Sequence, residues 1–329
     1  MAKRAHGRCG DQGFTQWPAY CIDKSTAGNG VRGIPNQQNK DKGVPIVQRH
    51  ERTLSAFAAP MRLTYARSQN RYAKMSTLKG KVTLLSAGPG DLDLLTLRAA
   101  KALAAADILL VDDLANADIV TLAPQARVIR VGKRGGCKST PQAFIQRLMQ
   151  RYATKGLHVV RVKGGDALLF GRAGEEIAAL REAHIPVDIV NGVSSGFAAA
   201  AGLGISLTHR DHCQGVTFIT AHMQDHSQPD WAALAATGTT LAIYMGMSRI
   251  ASLTASLLEA LPACTPAAVV QNAGSSQEKR LVTTLDRLAD EATAAGLGSP
   301  AVILIGGAIG EAAEFTAHSA SAEGLAHAA

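Results

Sequence analysis

Short apolar runs alternate with amphipathic stretches along residues 82–306. The runs are rich in β-branched residues and are typical of strands: VTLLSA, DILLVD, RVIRVG, HVVRVK, VDIVNG, GVTFIT, TTLAIYMG, PAAVVQNAG and SPAVILIGG. Three intervening stretches have helical periodicity: LTLRAAKALAAA, TPQAFIQRLMQRYATKG and EEIAALREAHI. Strands that alternate with helices predict an α/β fold with mainly parallel sheets.

The alternation also predicts the domain organisation. It weakens near residues 206–212 and then resumes, so we expect two α/β domains, 75–209 and 210–329, with a flexible tail after about residue 312. Residues 1–74 have no sustained period and are rich in polar residues and glycine. We expect them to be a disordered extension or a misassigned start, because MSTLKGKV from Met75 reads as a natural beginning; a transit peptide is the alternative.

The positive charge of the chain is confined to that first segment. The formal net charge is +8; residues 1–75 hold 13 Lys and Arg against 4 Asp and Glu, which is +9, and the remaining 21 against 22 give −1. A near-neutral body does not predict a nucleic-acid partner, although RNA binding through the basic segment is an alternative of a different class.

Composition indicates the cellular compartment and argues against a membrane span and a metal site. No apolar run reaches the roughly 18 residues of a membrane span, so no membrane is predicted. The five cysteines are scattered, without a CxxC pair, and this favours a reducing cytoplasm. The pairs His209/His212 and His222/His226 have no third ligand in view, so no metal site is predicted.

Glycine clusters follow four of the predicted strands: SAGPGD at 86–91, KGGD at 163–166, NGVSSG at 191–196 and YMGM at 244–247. Asp93 stands where a dinucleotide fingerprint needs its third glycine, and the chain contains no P-loop motif. Ligands bind at the carboxyl ends of parallel strands. Tight turns without a ligand are the alternative, but four clusters favour a small-molecule site in a cleft between the domains.

The motifs GPGD, RVKGGDALLFGRAGEE, GISLTHRD and YMGM follow one another within about Val82 to Gly306. They resemble those of the tetrapyrrole methylases, and in particular of the members that methylate uroporphyrinogen III. The resemblance implies a homodimer with S-adenosylmethionine in the interdomain cleft, converted to S-adenosylhomocysteine. It implies the addition of two methyl groups to uroporphyrinogen III to give precorrin-2, for sirohaem or cobalamin biosynthesis.

Related activities stay open as alternatives. Another precorrin methylase, a diphthine synthase or an rRNA ribose methylase has a similar fold, although GISLTHRD favours the first reading. No dehydrogenase or ferrochelatase pattern precedes Met75, so we do not expect a fused sirohaem synthase.

The resemblance also implies site residues. The proton acceptor would be Asp112 and the proton donor Lys133. Cofactor contacts would come from Pro89, Gly164, Gly165, Asp166, Leu169, Ser194, Ser195, Met245 and Ala273. The two adjacent glycines would lack side chains because the cofactor lies against their backbone. Departures from the family pattern, expected to alter turn rigidity rather than activity, are Val111, Ala167, Asn191 and Ala221.

The chemistry is consistent with these residue types. Methyl transfer from a sulfonium needs alignment of the reactants rather than a protein nucleophile or a metal, and one carboxylate base can accept the proton that is lost. A polycarboxylate substrate suits a site lined by Arg and Lys. The candidates for this role are Arg134, Arg161, Lys163, Arg172, His209 and Arg210.

Overall fold

The computed structural model describes residues 80–132, 140–222, 228–313 and 315. All of them belong to one compact unit, Pro60–Ala329. The basic segment 1–74 lies outside the described residues, as do Lys133 and Arg134.

The first sheet consists of five parallel strands in the order β3-β2-β4-β1-β5. Their bounds are β1 Val82–Ser86, β2 Ile108–Val111, β3 Arg127–Arg130, β4 Val159–Lys163 and β5 Val187–Val190. Every residue of β1, β2 and β4 is buried, as expected for a parallel sheet covered on both faces. The buried residues of β4 include the charged Arg161 and Lys163. The parallel sheet predicted from the sequence is confirmed here.

Helices cover both faces of this sheet. They are α1 Leu97–Ala104, α2 Gln142–Ala153 and α3 Ala173–Glu182, with 3-10 turns at Leu92–Leu94 and Ala117–Leu122. The next helix, α4 Ser195–Leu203, packs on the second sheet. Adjacent strand residues point to opposite faces. Leu84 therefore packs with Met149 of α2 in one core, whereas Leu85 packs with Leu103 of α1 in the other.

The second sheet corrects the expectation of mainly parallel pairing. Its strands are β6 Val216–Thr220, β7 Thr240–Tyr244, β8 Pro266–Gln271, β9 Lys279–Thr284 and β10 Ala301–Ile305, in the order β6-β7-β10-β8-β9. The β6–β7 pair alone is parallel, and the other three pairs are antiparallel. The connection 272–278 between β8 and β9 is too short for a crossover helix, so it closes a hairpin. The sequence pattern also missed β9, an edge strand that begins with two charged residues.

One face of the second sheet is covered by helices that follow its own strands. They are α5 Trp231–Ala236, α6 Ile250–Leu258 and α7 Leu288–Ala294, with 3-10 turns at Met247–Arg249, Leu285–Arg287 and Gly307–Glu311. Trp231, Leu257 and Leu288 are buried in that core. Across the described ranges, no helix is both long and apolar enough to span a bilayer.

Helix α4 covers the other face of the second sheet. Its alanines Ala198 and Ala199 are buried in a core with Ala242, Val270 and Leu304. Small side chains on both sides allow the helix to approach the sheet closely. Residue 210, where the two domains are predicted to divide, lies between α4 and β6, and that division stays a prediction.

Candidate active site

The carboxyl ends of strands from both sheets surround one cavity of about 490 Å³. This volume is within the range of small-molecule sites. Because the strands of the first sheet are parallel, the loops that follow β1, β2 and β4 open on the same edge. The predicted residues that line the cavity are Pro89, Asp112, Arg161, Lys163, Gly164, Gly165, Asp166, Leu169, Arg172, Ser194, Ser195 and Ala273.

Three predicted residues are not among those that line this cavity. Met245 follows β7 with a φ of 57° and is 46% exposed. His209 stacks on His212 with ring centroids 4.7 Å apart, and Arg210 follows it. The roles assigned to these three residues stay predictions. So do the roles of Lys133 and Arg134, which the structure does not describe.

The two adjacent glycines after β4 lack side chains for different reasons. A Cβ on Gly164 would lie 2.7 Å from the carbonyl oxygen of Leu114, so the chain itself excludes a side chain there. Gly165 has a φ of 65°, and the nearest atom to its Cβ would be the Ser195 nitrogen at 3.9 Å. The explanation that a cofactor lies against the backbone therefore fits Gly165, whereas Gly164 is explained by Leu114.

Backbone hydrogen bonds hold the GPGD loop in place. The nitrogen of Gly88 donates to the oxygen of Gly165 at 3.1 Å, and the nitrogen of Gly165 donates back at 2.7 Å. Asp91 donates its N–H to the carbonyl of Gly274 at 2.8 Å. A Cβ on Gly274 would lie 2.6 Å from the Pro89 ring. The loop after β1 is thus fixed between the loop after β4 and the loop after β8.

The Asp166 carboxylate organises two loops at the cavity edge. Its Oδ1 accepts from the Leu168 nitrogen at 2.8 Å, and its Oδ2 accepts from the Gly192 nitrogen at 3.1 Å. The turn after β4 and the turn after β5 are therefore joined by one side chain. The aspartate of GGD has a structural task besides the predicted cofactor contact.

A buried charge network lies beneath the cavity. Arg161 is 2% exposed, and its Nε donates to Glu176 Oε1 at 3.2 Å while Nη2 donates to Asp112 Oδ2 at 3.1 Å. Lys163 Nζ lies 3.4 Å from the same Glu176 oxygen, which also accepts from Gln142 Nε2 at 2.9 Å. Glu176 is fully buried, and its Oε2 has no hydrogen-bond partner among the described atoms.

Arg161 and Lys163 are predicted to bind the substrate, and that role stays a prediction: both residues line the cavity. Both side chains are buried and paired with carboxylates. The remaining Arg161 nitrogen, Nη1, donates to the carbonyls of Leu110 and Val162. The guanidinium therefore holds Asp112 in place at the end of β2.

Burial lowers the pKa of Lys163 below its usual value of 10.5, and the neighbouring Arg161 lowers it further, while Glu176 and Asp112 oppose the shift. In the window between the folded pKa and 10.5, the unfolded chain binds more protons than the folded one, so stability rises with pH. We expect wild-type protein to gain unfolding free energy relative to Lys163→Met as pH rises through this window. Denaturant titrations from pH 7 to 10.5 measure the difference, and parallel curves would contradict the assignment.

Arg172 presents its charge at the cavity edge. It is 59% exposed and makes two 2.8 Å contacts to the Glu175 carboxylate. Arg172 has a φ of 57°, and Phe170, two residues earlier, has a φ of 55°. Both residues therefore have left-handed backbone conformations that usually favour glycine. Such conformations cost energy and cluster at functional sites.

Sequence reasoning missed several residues of the site. Glu176 and Tyr244 are the most important, because Glu176 balances the buried cations and Tyr244 lines the cavity beside Ser194. The available signals were weak: Glu176 is the second glutamate of RAGEE, and Tyr244 precedes the MGM turn. Neither motif shows which side chain turns inward.

Comparison with known proteins identifies the class. The sequence profile of the Tetrapyrrole (Corrin/Porphyrin) Methylases matches residues 81–289. This chain therefore belongs to the tetrapyrrole methylase family, and the family predicted from the motifs is confirmed.

Two named relatives show which activities occur among proteins similar to this chain. The chain is 50% identical over 230 residues to the uroporphyrinogen-III C-methyltransferase of Pseudomonas aeruginosa, covering 70% of this chain and 94% of that protein. It is 43% identical over 230 residues to siroheme synthase 2 of Aeromonas hydrophila, covering 69% of this chain and 48% of that protein.

Solved structures share the fold. The uroporphyrin-III C-methyl transferase of Thermus thermophilus, complexed with S-adenosyl homocysteine, has a TM-score of 0.62 and 33% identity, covering 70% of this chain and 99% of that one. A cobalt precorrin-4 methyltransferase has a TM-score of 0.64 and 30% identity, covering 70% and 95%. The predicted two-sheet α/β fold is confirmed.

Proposed function

We propose that this protein transfers two methyl groups from S-adenosylmethionine to carbons of uroporphyrinogen III and so makes precorrin-2. The observation that carries the proposal is the composition of the cavity. It brings every predicted cofactor residue except Met245 together with Asp112 and the exposed Arg172. The identity to uroporphyrinogen-III C-methyltransferases supports the choice of substrate.

The cofactor fits the open backbone at Gly165, where a side chain would enter the cavity. Pro89, Leu169 and Ala273 supply apolar surface there, and Ser195 supplies polar groups. When bound, S-adenosylmethionine supplies an electrophilic methyl group on sulfur and leaves as S-adenosylhomocysteine. The chain contributes alignment of a pyrrole carbon with that methyl group, and alignment is worth roughly 7–11 kcal/mol of barrier in well-oriented reactions.

Asp112 is proposed to accept the proton that the tetrapyrrole releases from another position after methyl transfer makes the methylated carbon quaternary and leaves the macrocycle positively charged. The Arg161 contact fixes its position, and 33% of the side chain is exposed at the cavity. Arg172 is proposed to bind substrate carboxylates. Its Nε and Nη2 pair with the exposed Glu175, so a substrate carboxylate would bind the remaining N–H groups or displace Glu175. We also propose that Lys133 donates a proton and that Arg134, His209 and Arg210 bind the substrate.

A homodimer, a cytoplasmic location and a division into two domains near residue 210 complete the proposal. The family resemblance supports the dimer, and the scattered cysteines favour the reducing compartment. Another precorrin methylase is the second candidate, because the fold is as similar to a cobalt precorrin-4 methyltransferase as to the Thermus enzyme.

The first test is incubation of the full chain with S-adenosylmethionine and enzymatically generated uroporphyrinogen III, followed by product mass and absorbance. Two added methyl groups are expected. Binding of S-adenosylhomocysteine without methylation of uroporphyrinogen III would favour the second candidate, and a folded protein that binds no S-adenosylhomocysteine would contradict both.

Asp112→Ala is expected to lower the turnover rate by about 10²–10⁴-fold, the usual contribution of a general base. Affinity for S-adenosylhomocysteine should stay within about twofold, since the residues proposed to hold it are untouched. The control is Asp188→Asn, which removes an exposed carboxylate paired with Lys81. Turnover of Asp112→Ala equal to that of the control would refute the proposed base.

A further inference from the structure

The side chain of Tyr244 joins the two halves of the cavity. Tyr244 is the last residue of β7 in the second sheet, and its hydroxyl lies 2.7 Å from Ser194 Oγ at the start of α4. The backbone nitrogen of Gly196 donates to the same hydroxyl at 2.8 Å. Tyr244 and Ser194 both line the cavity.

The direction of the hydrogen bond between Tyr244 and Ser194, in which either hydroxyl can donate, decides whether Ser194 has a free donor. A tyrosine hydroxyl has one hydrogen, and the oxygen of Tyr244 already accepts from Gly196 N–H. When Tyr244 donates its hydrogen to Ser194 Oγ, the Ser194 hydroxyl keeps its own hydrogen for a ligand. Hydrogen bonds in such a chain polarise one another in a low-dielectric site, and Ser194 is 5% exposed.

Packing around the ring fixes this arrangement. A Cβ at position 196 would lie 2.5 Å from the Tyr244 hydroxyl and 2.9 Å from the ring of Phe218. Glycine is therefore required there for the hydroxyl to reach the helix. The Phe170 ring lies 5.0 Å from the Tyr244 ring, and Phe218 lies 6.3 Å from it, so aromatic contacts restrain the ring as well as its hydroxyl.

We propose that Tyr244 is a positioning residue for the cofactor: its hydroxyl holds Ser194 and the first turn of α4 against the cavity, so that Ser194 and Ser195 meet the ligand pre-oriented. The inference rests on the proposed function for the location of the cofactor. It adds a residue of the second sheet that acts through residues at the start of α4. Cofactor affinity then depends on a hydroxyl that need not touch the cofactor.

The test is Tyr244→Phe, which removes the hydroxyl and keeps the ring. We expect the dissociation constant for S-adenosylhomocysteine, measured by calorimetry, to rise about tenfold, as for loss of a hydrogen bond in a buried site. The KM for S-adenosylmethionine should rise with it, while the KM for uroporphyrinogen III stays within about twofold. Tyr152→Phe makes the same change in α2, away from the cavity, and should bind like wild type.

A double-mutant cycle tests whether Tyr244 acts through Ser194. If it does, Ser194→Ala combined with Tyr244→Phe should bind no more weakly, within about twofold, than the weaker single variant. Unchanged affinity in Tyr244→Phe, or losses that multiply in the double variant, would overturn the inference. Wild-type protein that binds S-adenosylhomocysteine but does not methylate uroporphyrinogen III would overturn the proposed function, while the comparison of affinities would still decide this inference.

Discussion

Gly165→Leu is expected to weaken S-adenosylhomocysteine binding by about a hundredfold and leave the protein folded. A side chain at this position points into open cavity, with the Ser195 nitrogen as its nearest neighbour at 3.9 Å. Overlap with a ligand there costs on the order of 3 kcal/mol, which corresponds to that loss of affinity. The left-handed φ of 65° adds about 1–2 kcal/mol of backbone strain to the folded state.

Gly164→Ala is the matched comparison, because the neighbouring glycine faces the chain. Its Cβ would lie 2.7 Å from the Leu114 oxygen and 2.8 Å from the Leu114 Cβ, so Leu114 must move. The main effect should be a lower unfolding temperature, whereas Gly165→Leu should mainly lower affinity. Calorimetry with S-adenosylhomocysteine and thermal unfolding of both variants measure the contrast. Wild-type affinity in Gly165→Leu would show that no cofactor lies over this backbone.

The sequence predicts the fold most reliably where a local pattern is compatible with one structure only. The mostly apolar runs of β1, β2 and β4, together with the glycine clusters after β1 and β4, predict both the parallel sheet and the edge at which the cavity opens. Pairing in the second sheet depends on the spatial order of the strands, which no local pattern contains. There β10 lies between β7 and β8, antiparallel to both.

The type of a single residue is a weaker predictor of a role in the site than a motif of several residues is. A lysine and an arginine in RVKGGD look like ligands for a polycarboxylate, but strand alternation cannot show that helix α3 brings Glu176 against both. Likewise, the GGD motif contains two adjacent residues without side chains, and only the fold shows that Leu114 excludes a side chain from the first of them. Contacts between elements distant in sequence decide which charged side chain faces a ligand and which is neutralised inside.

Glu176→Gln is expected to have the largest effect on stability. Glu176 is fully buried, and its Oε1 contacts both Arg161 and Lys163. The amide keeps the shape but removes one of the two carboxylates, Glu176 and Asp112, that offset the buried charges of Arg161 and Lys163, and breaking a buried pair costs about 3–5 kcal/mol. Denaturant unfolding at pH 7 measures the loss. The control is Glu175→Gln, where a 51% exposed carboxylate pairs with Arg172 and the loss should be about 1 kcal/mol or less.

Two further measurements separate the lost charge from general disruption of the core. Lys163→Met removes one of the two cations, so adding it to Glu176→Gln should recover part of the lost stability. Glu176 is also one of the groups that raise the pKa of Lys163. Without that carboxylate, folded Lys163 releases its proton at lower pH, and the deficit of Glu176→Gln should shrink as pH rises from 7 toward 10. A deficit that is independent of pH and unchanged by Lys163→Met would mean that shape or packing, rather than charge balance, keeps a glutamate at position 176.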